Sequence, residues 1–240
     1  MPLRKITSLR SVLQLRDRRL NTAVYPMPFT RVEVATLTVI EGSLHVLLAL
    51  RAEDPHAGQW ALPGGVLRID RDASLEAAAR RVMGERLGLE GLALRQLVAT
   101  GGPSRDPRAS WTLSVVYRSL VPAQSVSASP GKRIKDLRWY PVDDLKEPAP
   151  LAFDHARLVE LAVEDVRAAV DQLELPFDFL PATFTLGELQ LSCEQLLGHA
   201  LDKSSFRRRL ADRDLVEPVP GSMRGGAFRP AQVYRRKSAT

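Results

Sequence analysis

From Arg31 onward alternate positions fall into two sets, Val32, Val34, Thr36 and Thr38 against Glu33, Ala35, Leu37 and Val39. Such alternation suits a β-strand, where successive side chains leave on opposite faces. A Glu41-Gly42 turn and a second apolar run, Leu44 to Leu50, make the segment a hairpin, so the chain is committed to a sheet. A loop rich in Pro and Gly follows (Pro55, Gly58, Pro63, Gly64, Gly65), and then the period changes. Ser74 is a good N-cap, apolar residues recur at 75, 78, 79, 82, 83 and 87, and Gly88 suits the position just past a helix end. These signals predict a helix over 74–88. Further β signals occupy 94–99, 111–121 and 137–140, and Asp154 to Leu173 has a helical period with few breakers.

Pro176 to Pro181 marks a boundary. Beyond it Thr185-Leu-Gly-Glu188 reads as a capping box opening a helix to about Leu197, and a second helix is expected from Asp202 to Arg213. Leu215 to Arg236 reads as two short strands joined by a Gly-rich turn at 221–226. Helix, turn, helix and hairpin in that order predict a winged helix-turn-helix. The divisions expected are a basic arm at 1–26, a first domain at 27–150, a connecting helix and linker at 151–180, and the winged domain at 181–240. Internal repeats and low-complexity tracts are absent from the sequence.

With 45% apolar and 26% charged residues over 240 positions, the composition excludes disordered and fibrous classes and allows one to two domains. Apolar runs stop well short of the roughly 20 residues of a membrane helix. Residues 1–20 lack the apolar stretch of a secretory signal; their arginines and serines can imitate a transit peptide, but they are expected to form a flexible basic arm, with Met27 as an alternative start. One cysteine, Cys193, allows no internal disulfide and suits the cytoplasm; its leucine neighbours predict a core position. The four histidines lack metal-ligand spacing, and His155 is expected to cap or pack. Charge is segregated: residues 1–31 are net +6, 32–199 net −6 and 200–240 net +6. A basic block beside an acidic middle is either a footprint for a polyanion or a solvated surface.

The segment Gly58-Gln-Trp-Ala-Leu-Pro-Gly-Gly65 with the helix after it resembles the Nudix box and its approach strand. In the stretch Arg81-Val82-Met83-Gly84-Glu85-Arg86-Leu87-Gly88-Leu89, the Arg, the aliphatic positions, one Glu and the closing Gly agree. Two of the three metal-binding Glu positions have become Val82 and Arg86, two extra residues separate Gly65 from Arg81, and the upstream Glu is replaced by Ala73 or, approximately, Asp72. Positions 82, 85 and 86 are spaced to share one helical face, on which three carboxylates could hold Mg²⁺ against a diphosphate. This chain offers there one carboxylate, one isopropyl group and one guanidinium. The box is therefore read as degenerate, with no catalytic residue, no metal and no cofactor. Glu85 is expected to pair with Arg81, and Arg86 to meet the ligand's phosphates directly.

The loop Gly102-Pro-Ser-Arg105-Asp106-Pro107-Arg108 resembles one that Nudix proteins handling ADP-ribose and related sugar nucleotides carry near the pocket. Arg51, Arg68, Arg86, Arg105 and Arg108, with Gly64 and Gly65 beside them, are the candidate ligand residues; an internal pair between Asp106 and Arg105 or Arg108 is the structural alternative. In the second expected helix Phe206 and Leu210 face inward. Lys203, Ser204, Ser205 and Arg208 are the candidates for groove contacts, and Arg207, Arg209, Arg224 and Arg229 for phosphates.

Colinear phrases extend the resemblance over roughly residues 25–236 to the NrtR-type regulators, Nudix-related repressors of NAD metabolism. They are Tyr25-Pro, Gln59-Trp-Ala-Leu-Pro-Gly-Gly65, Leu151-Ala-Phe-Asp-His155, Thr183-Phe-Thr-Leu-Gly-Glu-Leu-Gln190, Leu201-Asp-Lys-Ser-Ser-Phe-Arg-Arg208 and Arg229-Pro-Ala-Gln-Val-Tyr234. The resemblance implies an α+β chain, a Nudix-type α/β/α sandwich with a mixed sheet followed by a small winged helix-turn-helix. It implies a homodimer that binds a palindromic operator in double-stranded DNA and senses a sugar nucleotide such as ADP-ribose. The alternative of another class is a pyrophosphatase cleaving ADP-ribose with Mg²⁺, using Glu85 and acids such as Glu53, Asp70 or Asp72; a third reading keeps the Nudix domain only as a dimerisation scaffold.

Overall fold

The computed structural model describes residues 26–145, 151–225 and 230–237. Strand β1 (Phe29–Ile40) turns at Glu41-Gly42 into β2 (Ser43–Arg51), the hairpin that the alternation predicts. Short strands β3 (Trp60–Ala61) and β4 (Gly64–Val66) pair antiparallel with β2 and β1. Helix α1 (Leu75–Leu87) follows; the Ser74 side chain accepts the Ala77 N–H, and Gly88, at φ 66°, closes it in the left-handed region that glycine adopts freely. Then come β5 (Arg95–Gly102), β6 (Thr112–Leu120) and β7 (Ile134–Pro141). The sheet has seven strands on a path β3-β2-β1-β6-β5, with β4 beside β1 and β7 beside β2. It is mixed, because β1 and β6 run parallel while the other pairs are antiparallel.

Helix α2 (His155–Asp171) covers the face opposite α1. Val32, Val34, Leu47 and Val115 pack with Ala78, Val82, Met83 and Leu87 of α1; Ala35, Leu37, Val46 and Leu48 pack with Leu158, Val159, Ala162 and Val166 of α2. Both sets of the β1 alternation are therefore buried, each under its own helix, which makes the layers α/β/α. Residues 155–171, expected as a connector, form one of those layers.

The winged lobe contains β8 (Phe184–Thr185), α3 (Leu186–Leu197), α4 (Lys203–Arg213), β9 (Val216–Arg224) and β10 (Ala231–Arg236), with sheet order β8-β10-β9. Thr185 and Glu188 make the capping box reciprocally. Cys193 is fully buried in α3. The turn expected from Gly221 is instead strand: β9 continues to Arg224, and Gly221, at φ 68°, sits in an irregular stretch opposite Gln232–Tyr234 where Gln232 Nε2 donates to the Val219 and Ser222 carbonyls. No helix among the described residues is long and apolar enough to cross a membrane.

Candidate effector cleft and nucleic-acid interface

Five guanidiniums converge beside the Gly64-Gly65 strand. Arg31 comes from β1, Arg51 from the end of β2, Arg86 from the last turn of α1, Arg108 from the loop before β6, and Arg133 from the loop before β7. With Glu53, Asp54, Gly64 and Gly65 they line a narrow cleft of 60 Å³. Each arginine is braced by the protein. Arg51 Nε donates to the Pro55 carbonyl at 2.8 Å, Arg86 donates to the Lys132 carbonyl, and Arg133 pairs with Glu53 at 3.0 Å. Arg108 holds Asp106 through two nitrogens at 2.8 and 2.5 Å, and Arg31 reaches Glu33 at 2.9 Å and Asp106 at 3.4 Å.

Crowding of like charge leaves a signature. Burial first, then the neighbouring Arg31 and Arg108, lower the Arg51 pKa to about 10; burial and then Arg133 lower that of Arg86. Asp106 goes the other way: burial disfavours its charge, but the bonds from Arg108 and the nearby Arg31 outweigh it and hold the carboxyl at about 2. The cleft keeps an excess of positive charge that its own acids do not neutralise, which suits an anion with several acceptor oxygens.

The degenerate box does not present one face. Val82 is buried beneath Gly65, where a Cβ on the glycine would stand 2.7 Å from Val82 Cγ2. Glu85 bonds Arg81 at 3.3 Å, as expected, and also Arg71 at 3.0 Å. Only Arg86 enters the cleft. Asp72 is likewise engaged, gripping Arg81 at 2.7 and 2.8 Å, and that hydrogen bond holds its pKa low. The shared face expected for 82, 85 and 86 is thus corrected: one residue faces the core, one faces a pair of arginines and one faces the cleft. These residues do not fit Mg²⁺, which needs hard oxygen ligands where α1 supplies a guanidinium. Among the described residues no group of three or more His, Cys, Asp or Glu is arranged to hold a metal.

Of the expected ligand residues, Arg51, Gly64, Gly65, Arg86 and Arg108 are brought together. Arg68 is not: it lies on the surface, bonded to Asp70 at 3.2 and 3.1 Å. Arg105 is also elsewhere, clamped on Asp154 at 2.7 and 2.8 Å, so the internal pair with Asp106 belongs to Arg108. Arg31 and Arg133 are additions. Arg31 breaks the apolar pattern at the start of a strand, a signal that was available; Arg133 follows Gly131-Lys132 in a loop and carries none.

A larger cavity of 730 Å³ separates β5 and β6 from the winged lobe. Four of its five lining cations are engaged: Arg95 with Glu174 at 2.5 Å, Arg118 with Asp165, Lys237 with Asp214, and Arg236 over the Phe177 ring at 5.2 Å; the fifth is Arg213. The narrow cleft, with its surplus of charge, is the better anion site.

On α4, Phe206 and Leu210 are buried as their spacing predicts, which turns Lys203, Ser204, Arg207 and Arg208 to the surface. Among the described residues these three cations make no ion pair within the chain. Asp202 caps the helix by accepting the Ser205 N–H at 2.8 Å. Arg209 is turned inward, donating to the Asp171 carbonyl, and Arg224 bonds Glu188 at 2.5 Å and the Thr183 carbonyl at 3.1 Å. Those two expected phosphate contacts are internal struts in this conformation. Arg229 lies outside the described residues.

Comparison with known proteins gives two family matches: the NUDIX domain over residues 29–162 and the NrtR DNA-binding winged helix domain over residues 176–236. The chain is 35% identical over 211 residues to an "ADPR responsive transcriptional repressor NtrR" of Acinetobacter baylyi, covering 88% of this chain and 83% of that protein. It is similar to the crystal structure of Shewanella oneidensis NrtR complexed with a 27mer DNA, at 34% identity and a TM-score of 0.70, covering 87% of this chain and 93% of that one. The Nudix domain of the Shewanella protein, in a cocrystal with ADP ribose, is 29% identical with a TM-score of 0.56 and covers 66% of this chain and 99% of its own.

Proposed function

Because the chain belongs to the NrtR family of Nudix-related transcriptional regulators, we propose that it binds a sugar nucleotide of the ADP-ribose type in the arginine cleft and double-stranded DNA through α4, and that it does not hydrolyse its ligand. The observation that carries this reading is Arg86. Helix α1 delivers a guanidinium to the place where a Nudix hydrolase needs carboxylates, and four further arginines surround it. A diphosphate can be met there by charge-assisted hydrogen bonds without a cation between. The ADP-ribose and DNA complexes of the Shewanella relative support the choice of ligand and target. Exposed Lys203, Ser204, Arg207 and Arg208 at the start and outer face of a helix-turn-helix second helix suit the major groove. A homodimer on a palindromic operator in the cytoplasm completes the reading.

Calorimetry with ADP-ribose in EDTA tests the cleft. Binding should persist without metal and weaken at least about tenfold in Arg86→Glu, which reverses a charge at the phosphates. A parallel assay for AMP release with Mg²⁺ should show no turnover. Release at rates on the order of 1 to 10³ per second would overturn the non-hydrolytic part of the reading.

A further inference from the structure

The segment Leu151–His155 joins the wall of the arginine cleft to the start of α2, and neither the ligand site nor the DNA-facing surface uses it. Phe153 has its backbone in the left-handed region, at φ 59°, a conformation that a bulky side chain keeps only when its surroundings hold it. What holds it is a ring of cations and aromatics. The guanidinium carbon of Arg51 is 4.9 Å from the ring centroid and that of Arg31 is 5.5 Å away. His56 stands edge-on at 4.5 Å and His155 is tilted at 5.1 Å. Both cations are cleft residues, so a ligand that re-aims them changes their contact with the ring.

The flanking residues join the segment to the cleft wall. Ala152 N–H donates to the Trp60 carbonyl at 2.8 Å, Leu62 N–H donates to His155 Nδ1 at 2.9 Å, and Arg105 clamps Asp154. His155 opens α2, whose 17 residues span roughly 25 Å at 1.5 Å per residue. At its far end Arg209 of α4 donates to the Asp171 carbonyl, and the buried face of α2 shares one core with Leu189, Cys193 and Leu196 of α3. A single helix thus touches the cleft at one end and the DNA-facing helix at the other.

We propose that Phe153 is the positioning residue through which occupancy of the arginine cleft sets α2 and, with it, the DNA-binding helices. A diphosphate takes up the donors of Arg51 and Arg31, the ring loses its two cations, and the start of α2 shifts relative to the winged lobe. The proposal rests on the reading of the cleft as the ligand site.

The test uses Phe153→Leu, which removes the ring and keeps apolar bulk, and Phe153→Tyr, which keeps the ring. DNA affinity is measured with a duplex selected from a random library by the wild-type protein, with and without saturating ADP-ribose. The wild type should change affinity by about 10-fold or more in either direction, within the usual range of coupling between sites. Phe153→Leu should bind the ligand, bind DNA in its absence with the affinity of the liganded wild type, and respond by less than about twofold; Phe153→Tyr should restore the response. A wild type that ignores ADP-ribose would overturn the regulator reading and this inference together. A responsive wild type matched by Phe153→Leu would overturn only the role of Phe153. If the Leu variant does not fold, hydrogen exchange in the wild type decides: ADP-ribose must change protection at the start of α2, and unchanged protection there sinks the proposal.

Discussion

His155 is fully enclosed, and its Nδ1 accepts the Leu62 N–H, which requires the unprotonated nitrogen. Burial first, then Arg31, Arg51 and Arg105, hold its pKa well below 6.5. The unfolded chain takes up a proton below about pH 6.5 and the folded chain does not, so stability is present above that value and is lost as pH falls below it, by up to about 1.4 kcal/mol per pH unit. His155→Asn keeps an acceptor at the same place and removes the titration. Urea melts at pH 5 and pH 7 should show this loss in the wild type and a flatter profile in the variant; equal slopes would contradict the assignment. Sequence reasoning placed His155 as a capping or packing residue, and it packs, while its bond to Leu62 crosses 93 positions and leaves no local trace. The same holds for the cleft. Arg86 could be read from a motif and Arg108 from a Pro-braced loop, but Arg31, at the start of the β alternation, is not singled out by it, because no local pattern tells that β1 and two distant loops converge.

At the scale of elements, period and caps were informative because each depends on a few consecutive residues: Ser74, Gly88 and the Thr185-Glu188 box all stand where the capping pattern puts them. Partnering was not. The parallel pairing of β1 with β6 joins segments some 80 positions apart and is set by the helices filling both faces of the sheet. The contact between α1 and β4 shows how tight that filling is. Gly65→Ala should cost about 1–3 kcal/mol, because its methyl group meets Val82 Cγ2. Adding Val82→Ala should recover part of the loss, so the pair would be non-additive in a denaturation cycle. Strict additivity would mean that α1 and β4 yield independently.

Two family patterns cover this chain, yet its core does not divide between them. One continuous set of buried side chains runs from Leu37 and Val46 of the large sheet through Val159 and Val166 of α2 to Leu189 and Phe206 of the winged lobe. The two lobes should therefore unfold in a single transition. Leu189→Ala, at a fully buried position, should lower it by about 2–5 kcal/mol as one unit. Two separate calorimetric transitions, only one of them moved by the substitution, would show that the lobes are energetically independent.

Cys193 lies inside that shared core, and its burial, aided by Glu194, pushes the thiol up to about 12. Only the thiolate attacks electrophiles, so the one native sulfhydryl is chemically silent near neutrality. The chain consequently comes with a clean background for maleimide dyes and spin probes. A cysteine substituted for Arg207 would take the reporter alone, on the exposed face of α4.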